Sequence, residues 1–226
     1  INGAMQVAQR GTSSTVGDNS YASVDRFLLS QSGLDENVTQ AQVDVASGTT
    51  PYTLGFRKAF KITNGNQTSG AGAGDFIQIQ QRIEAQNIAN SGWNYLSSSS
   101  NITLSFWVKS SVAQNFYGYF RTKDGTAQLY TYETGSLTAD TWTKVTKTIP
   151  GNSNLTFDNN NNEGLQFNIA PFWGTTYTGS VSLNAWAAFA SGTRTPDYTS
   201  TWYTTNDATF ETVSYTHLTL PTILLV

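Results

Sequence analysis

The chain has 226 residues and a formal net charge of −3, with 12 basic and 15 acidic side chains and no cysteine. The absence of cysteine excludes disulfides, thiol catalysis and cysteine-based zinc sites. Sparse charge without basic clusters argues against nucleic-acid binding, and no apolar run approaches the roughly 18 residues of a membrane-spanning helix. Ser, Thr, Asn and Gln supply 88 residues and aromatics 13% of the chain, which favours strands. We therefore predict an all-β chain with no nucleic-acid partner and no membrane insertion.

Short runs that alternate apolar and polar residues recur along the chain, separated by turns rich in Gly, Asn, Ser and Thr. Such alternation is the pattern of a half-buried strand. In chain order, the predicted strands are residues 4–9, 24–30, 38–45, 57–63, 76–83, 102–109, 116–122, 128–133, 141–149 and 165–170, with a last strand starting at 208–211. Only residues 83–90 indicate a helical turn. This arrangement favours a two-sheet antiparallel jelly-roll β-sandwich.

Alternation also assigns the two faces of each strand, because successive side chains point to opposite sides. The predicted inward set is Ile77, Ile79, Ile83, Ile102, Leu104, Phe106, Val108, Phe116, Gly118, Phe120, Leu165, Phe167 and Ile169. Strand 128–133 is ambiguous, since Tyr130 and Tyr132 lie on one side and Leu129 on the other.

The outward positions carry aromatic and polar side chains more than charged ones. Aromatic rings offer apolar planes to the C–H faces of sugar rings, and planar amide and guanidinium groups bond neighbouring hydroxyls. The candidate carbohydrate-binding residues are Trp107, Tyr117, Tyr119, Arg121, Gln80, Arg82, Gln166 and Asn168, and the rival loop candidates are Trp173, Tyr177, Trp202 and Tyr203. Three alternatives stay open: another part of the chain covers this face, a neighbouring subunit covers it, or these residues are simply good strand formers. We expect Trp107→Ala or Tyr119→Ala to weaken glycan binding and to leave the fold intact.

Acidic residues point to two further alternatives. Side chains that would supply oxygen ligands to a structural Ca²⁺ are Asp18, Asp25, Glu163 and Asp207. No loop has calcium-ligand spacing, so turn and cap roles account for these residues. Glu84 and Glu133 would have to lie about 5 to 10 Å apart to serve as a glycosidase pair, and no pattern brings them together. We therefore predict no catalytic residue and no cofactor.

Both ends of the chain indicate a fragment. The chain begins at Ile1 without an initiator Met. Residues 213–222 read VSYTHLTLPT, which matches the translation of a transposase-type sequencing adapter; an Ile codon cut after its first base would yield Thr212. We therefore expect one domain over residues 1–211 and a foreign tail over 212–226. The only His, His217, lies in that tail, which leaves few routes to general-base catalysis.

Several strings stand in a characteristic order. Residues 2–10 fit the pattern NGxMxxxQR; Tyr21, Asp25 and Arg26 fit a Tyr…Asp-Arg-aromatic pattern; residues 103–111 read TLSFWVKSS; residues 142–151 fit W…T…IPG; and residues 208–211 read ATFE. Together they resemble a family of bacteriophage tail-fibre or structural domains common in marine phages. That family usually has Trp at the position of Phe27, and it continues ATFxITGVQLEVG, with Ile at the position of Thr212.

The resemblance implies a non-catalytic virion tail domain with a jelly roll similar to carbohydrate-binding modules. It further implies attachment to a cell-surface glycan, contacts with other virion tail proteins and a homo-oligomeric state. Two alternatives remain: a carbohydrate-binding module of a polysaccharide-degrading enzyme, and a depolymerase in its own right. The family has no agreed binding residues, so the candidate residues above depend on strand alternation alone.

Overall fold

The computed structural model describes residues 2–15 and 20–216. The strands in these ranges are β1 (Ser13–Ser14), β2 (Leu28–Ser32), β3 (Thr39–Asp44), β4 (Lys58–Thr63), β5 (Phe76–Glu84), β6 (Asn101–Ser110), β7 (Asn115–Thr122), β8 (Gln128–Ser136), β9 (Thr143–Pro150), β10 (Glu163–Trp173), β11 (Trp186–Ala188) and β12 (Thr209–Thr216). Three helical turns accompany them: α1 (Thr50–Thr53), α2 (Ala85–Ala89) and α3 (Thr201–Thr204). No helix among the described residues is long and apolar enough to cross a membrane.

The strands form two six-stranded antiparallel sheets. Sheet A has the order β1-β3-β4-β12-β6-β9, and sheet B has the order β11-β8-β7-β10-β5-β2. The seven strands from β4 to β10, followed by β12, make a jelly roll. Counted in chain order, they lie as first-eighth-third-sixth in sheet A and second-seventh-fourth-fifth in sheet B. The predicted all-β, two-sheet jelly-roll sandwich is confirmed.

Apolar alternation on the central strands builds the core between the sheets. In β6, Leu104, Phe106 and Val108 are at most 5% exposed, whereas the residues between them are half-buried. The Phe106 ring packs edge-on against Tyr132 and Phe167 of sheet B, with ring centroids 6.2 and 6.3 Å away. Burying each such side chain contributes about 1.5–3 kcal/mol to folding. The predicted inward direction of these residues is confirmed.

Three local predictions differ from the structure. The strand predicted over 24–30 begins only at Leu28, because residues 24–27 form a turn in which the Phe27 N–H donates to the Val24 carbonyl at 3.3 Å. Residues 4–9 form no strand, because side-chain bonds replace a ladder: the Asn2 amide donates to the Val7 carbonyl at 2.7 Å and accepts from the Val7 N–H at 3.1 Å. The left-handed φ of 56° at Met5 also breaks the extended path. The helical turn predicted over 83–90 is α2, shorter and preceded by the end of β5.

A third layer covers part of the sandwich. Residues 174–199, named here the covering segment, cross the outer face of sheet B and contribute only the short edge strand β11. Tyr177, Val181, Phe189 and Tyr198 of this segment pack on a second, smaller apolar cluster that includes Trp173. Local alternation does not reveal this layer, because the segment has almost no regular strand of its own.

Strand β12 lies in the middle of sheet A, between β4 and β6. It begins within the predicted native part and continues through Thr212, which is fully buried and donates from Oγ1 to the Trp107 carbonyl at 3.0 Å. Residues 217–226, including His217, lie outside the described residues. The foreign origin of residues 212–226 stays a prediction.

Candidate functional site

The predicted polar residues of sheet B come together in two rows across β5, β10 and β7. The ladders pair Arg82 with Gln166 and Gln166 with Arg121, and this set is named the outer row. The same ladders pair Gln80 with Asn168 and Asn168 with Tyr119, and this set is named the inner row. With Tyr117, which pairs with Ala170 on the same face, seven of the eight candidates lie on one face, as strand alternation predicted.

The inner row is not a surface, which corrects the predicted exposure. Gln80, Asn168 and Tyr119 are 5%, 0% and 3% exposed. Their polar groups bond one another or neighbouring strands: Gln80 donates to the Asn168 amide oxygen at 2.9 Å, and the Tyr119 hydroxyl donates to Gln78 at 3.1 Å. The inner row is thus the buried floor beneath the covering segment. We now expect Tyr119→Ala to destabilise the fold, contrary to the sequence-based prediction.

The covering segment is anchored by Tyr198. Its hydroxyl lies 3.0 and 3.2 Å from the carbonyl oxygens of Tyr117 and Ala170, between which it shares its one proton, and its ring lies edge-on to the Tyr117 ring at 5.1 Å. Burial raises the pKa of Tyr198 well above its usual value. Tyr117 is half-buried by this contact and serves as an attachment point for the segment.

The outer row lies at the margin of the covering segment and is partly accessible. The Arg121 guanidinium stacks on the Phe189 ring at 3.7 Å, and its Nε has no hydrogen-bond partner among the described residues. Burial lowers the pKa of Arg121. Gln166 is 6% exposed, whereas the Arg82 side chain is 46% exposed. The outer row is therefore most accessible at Arg82, whereas Gln166 is buried and Arg121 is half-buried.

A cleft of about 540 Å³ begins where the outer row ends. It is named the polar cleft, and its lining is Gln9, Arg10, Tyr21, Asp25, Arg26, Arg82, Ile83, Glu84, Asn161 and Glu163. The walls come from the N-terminal segment, the end of β5 and the start of β10. Arg82 and Glu163 belong to adjacent strands and form an ion pair with 3.6 Å between Nε and Oε1.

The three carboxylates of the polar cleft already have partners. Glu163 faces Arg82, Glu84 accepts from the Gln86 amide at 2.7 Å, and Asp25 accepts from the Gln9 backbone N–H at 3.2 Å. Arg82 also donates to the amide oxygen of Gln80 at 2.8 Å. These contacts orient the groups on the β5 side and connect the cleft to the inner row.

The N-terminal wall is held by buried neighbours. Asn2 donates to the Asp25 carbonyl at 3.1 Å, and the Asp25 N–H donates to the Val7 carbonyl at 2.9 Å. Arg26 follows with a left-handed φ of 74°, and Phe27 after it is fully buried in the main core. The core contact of Phe27 thus fixes the position from which Arg26 reaches the cleft.

Trp107 lies away from the other candidates, on sheet A. Its ladder partner in β9 is Lys144, and it is half-buried. Nearby on the same strand, Lys109 pairs with Glu211 at 3.0 Å and lies over the Trp142 ring at 5.2 Å. The sequence-based grouping of Trp107 with Tyr119 is wrong, because β6 and β7 belong to different sheets although they are consecutive.

The rival loop candidates are structural. Trp173, Trp202 and Tyr203 are at most 1% exposed, so they cannot form a binding surface. Trp202 donates from its indole to the Thr209 carbonyl at 3.0 Å, and Tyr203 donates to Asp75 at 2.8 Å. Tyr177 is half-buried and lies edge-on to Trp173 at 4.8 Å. Trp173 ends β10, and Trp202 and Tyr203 lie in α3, so the prediction that these three are loop residues is wrong.

The acidic candidates are dispersed. Asp25 and Glu163 share the polar cleft, Asp207 lies exposed in the turn before β12, and Asp18 lies outside the described residues. Glu84 and Glu133 lie on β5 and β8, which two other strands separate. Three strand spacings amount to about 14 Å, which exceeds the separation of a glycosidase pair. This arrangement contradicts the glycosidase alternative for these two residues.

Sequence reasoning did not group the residues of the polar cleft. Gln9, Arg10, Tyr21 and Arg26 entered only through the strings that carry the family resemblance, whereas Asp25 was also, with Glu163, a calcium candidate. A signal was therefore present, since these strings form one wall of the cleft. Arg82 was a candidate, but its position at the mouth of a cleft depends on contacts between distant segments.

No protein-family model and no curated protein matches the chain. Among solved structures, the chain is similar to a protein from Bacteroides thetaiotaomicron VPI-5482 described as sugar binding, with 11% identity, a TM-score of 0.44, and coverage of 94% of this chain and 95% of that one. It is also similar to a family 11 carbohydrate-binding module from Clostridium thermocellum in complex with a β-1,3-1,4-mixed-linked tetrasaccharide, with 12% identity, a TM-score of 0.36, and coverage of 90% and 93%.

Proposed function

We propose that this chain is a non-catalytic carbohydrate-binding domain whose binding site is the polar cleft together with the adjoining outer row. The observation that carries the proposal is the lining of the cleft. Guanidinium, amide and carboxylate groups and the Tyr21 side chain surround a cleft volume of about 540 Å³. Binding sites for small ligands have volumes of about 300 to 1,000 Å³. The cleft is therefore large enough for one or a few sugar units.

The chemistry of the lining suits saccharides. Planar groups such as those of Arg82, Gln9 and Asn161 can each bond two neighbouring hydroxyls, and the half-buried ring of Tyr21 offers an apolar plane. The ion pair and hydrogen bonds on the β5 side hold Arg82 and Glu84 in place before a ligand arrives. Preorganised side chains lose less conformational entropy on binding.

The test is a glycan-binding screen with variants on the two rival surfaces. Tyr21→Ala and Gln9→Ala alter exposed or half-buried cleft residues, and Trp107→Ala alters sheet A. We expect the cleft variants to weaken glycan binding by about tenfold, as loss of one or two hydrogen bonds or a ring contact would, and Trp107→Ala to leave it unchanged. Isothermal titration on the folded variants measures this. Loss of affinity in Trp107→Ala alone would place the site on sheet A and overturn the proposal.

The virion setting is a prediction of the family resemblance. In a tail fibre, many copies of a weakly binding domain would attach firmly, since effective concentration multiplies modest affinities. In a carbohydrate-binding module of an enzyme, a single copy would bind and a catalytic domain would share the reading frame. Light scattering of the purified chain and the sequence of the neighbouring genes distinguish these settings.

A further inference from the structure

We infer that the glycan bound in the polar cleft carries an acidic group, a carboxylate or a sulfate ester, and that Arg10 and Arg26 hold it. This inference rests on the proposed function, because it names the class of glycan for the same site.

Arg10 and Arg26 are the cleft cations that remain available. Both are exposed, and the ion pairs between described residues join Lys58 with Asp44, Arg82 with Glu163, and Lys109 with Glu211. Neither arginine appears among the hydrogen bonds of the described residues. Both guanidinium groups line the cleft, and each one presents a planar fork of N–H donors that matches a carboxylate or a sulfate, because such groups accept two parallel N–H bonds.

The backbone at Arg26 gives a second reason. Its φ of 74° lies in the left-handed region, which costs a side-chain-bearing residue about 1 kcal/mol and which glycine adopts freely. The exposed Arg26 side chain makes no described contact that would offset this cost. A residue kept in a strained conformation, at the wall of the described cleft, is more readily explained by a binding role than by folding.

The charge balance makes the attraction local. The whole chain has a net charge of −3, so a polyanion meets no overall attraction. The cleft and the outer row together hold four guanidinium groups, of Arg10, Arg26, Arg82 and Arg121, against the three carboxylates of Asp25, Glu84 and Glu163. An acidic glycan in the cleft would therefore be held by short-range contacts, and its binding would depend on the salt concentration.

The experiment uses polymers that differ only in charge. Polygalacturonate and its methyl ester form the carboxylate pair, and dextran sulfate and dextran form the sulfate pair; a panel of neutral polysaccharides is added. We expect at least one acidic polymer to bind about tenfold or more tightly than its neutral partner at low salt, with the difference reduced at about 0.5 M salt, where the Debye length falls to roughly 4 Å. The pair that shows the difference identifies the acidic group.

Variants assign the effect to the two arginines. We expect Arg10→Ala and Arg26→Gly each to weaken acidic-polymer binding by about fivefold to tenfold, as loss of a charge-assisted hydrogen bond would. Arg26→Gly should also leave the melting temperature unchanged or higher, because glycine relieves the left-handed strain. Lys144→Ala is the matched control, since it removes one exposed positive charge from sheet A and should leave binding unchanged.

The outcomes separate the two claims. Equal binding of acidic and neutral polymers, or full affinity in Arg10→Ala and Arg26→Gly, overturns this inference; neutral-glycan binding that Tyr21→Ala weakens would then leave the proposed function standing. An equal loss in Lys144→Ala also overturns it, because the effect would be general electrostatics. Absence of binding to every polymer overturns the proposed function itself.

Discussion

The outer faces of the two sheets differ in how much of the chain packs on them. Trp107 on sheet A and Tyr119 on sheet B both point outward by strand alternation, yet Trp107 is half-buried and Tyr119 is 3% exposed. The covering segment lies over sheet B, where Tyr198 bonds two strand carbonyls. Strand alternation therefore predicts the direction in which a side chain points, whereas its exposure depends on what packs above it.

The largest expected effect is on the stability of the covered face. Trp173→Ala removes a side chain that is 1% exposed and stacks on Phe76 with ring centroids 4.5 Å apart. Such truncations cost about 3–5 kcal/mol, so we expect a large fall in the free energy of unfolding measured with urea. Trp107→Ala on the open face is the control, with an expected loss below about 2 kcal/mol because that side chain is half-buried. Equal losses would mean that the two faces are covered to the same degree.

The second-largest expected effect is a loss of folding stability at alkaline pH, caused by the buried tyrosines of the covered face. Burial raises the pKa of Tyr198 and of Tyr119 above the usual 10.0, so both hydroxyls favour the neutral form in the folded chain. Their contribution to stability is therefore full below about pH 10 and is lost as pH rises above it towards the folded pKa values. This loss is measured as the fall in melting temperature between pH 7 and about pH 11, with unfolding detected by near-ultraviolet circular dichroism.

Tyr198→Phe is the control for the alkaline prediction. It removes the one proton that the Tyr198 hydroxyl shares between two carbonyls and should cost about 1–2 kcal/mol at neutral pH. The same variant should lose less additional stability between pH 10 and pH 11 than the unaltered chain does. An identical alkaline loss in both proteins would show that Tyr198 does not carry the effect.

The smallest effect is expected on sheet A. Glu211→Gln breaks the ion pair between Glu211 and Lys109. The Glu211 side chain is 10% exposed and the Lys109 side chain is 23% exposed. Partly exposed pairs contribute about 0.5–1 kcal/mol, so the free energy of unfolding should fall by that amount and the fall should shrink in salt. Lys58→Ala, which removes a more exposed pair with Asp44, should change stability still less. A larger loss in Lys58→Ala would contradict the ranking by exposure.

The strands were largely predictable and the binding surface was not. Local alternation was sufficient to find most strands and to direct Phe106 inward and Gln166 outward, because both depend on the chain within a few residues. The burial of Tyr119 depends on the covering segment, which Tyr198 anchors to Tyr117 from 81 residues further along the chain. No local pattern carries that information.

The polar cleft likewise combines residues that the sequence shows with a proximity that only the fold creates. The residues of its N-terminal wall lie within 9–26, and the opposite wall comes from residues 82–84 and 161–163. The sequence showed these strings separately, and only the ladder between β5 and β10 brings Arg82 next to Glu163. The left-handed backbone of Arg26 lies in a turn between Val24 and Phe27, and only tertiary packing places that turn at the wall of the cleft.

By itself the sequence determined that this chain is an all-β jelly-roll sandwich and which way each central strand side chain points, because covalent geometry reverses successive side chains. The tertiary structure alone decided which outward side chains meet solvent and which meet the covering segment. It also brought Arg10, Arg26 and Arg82 into one cleft. The physical reason is that burial and proximity come from contacts between segments far apart in the chain, and those contacts form only when the sandwich closes.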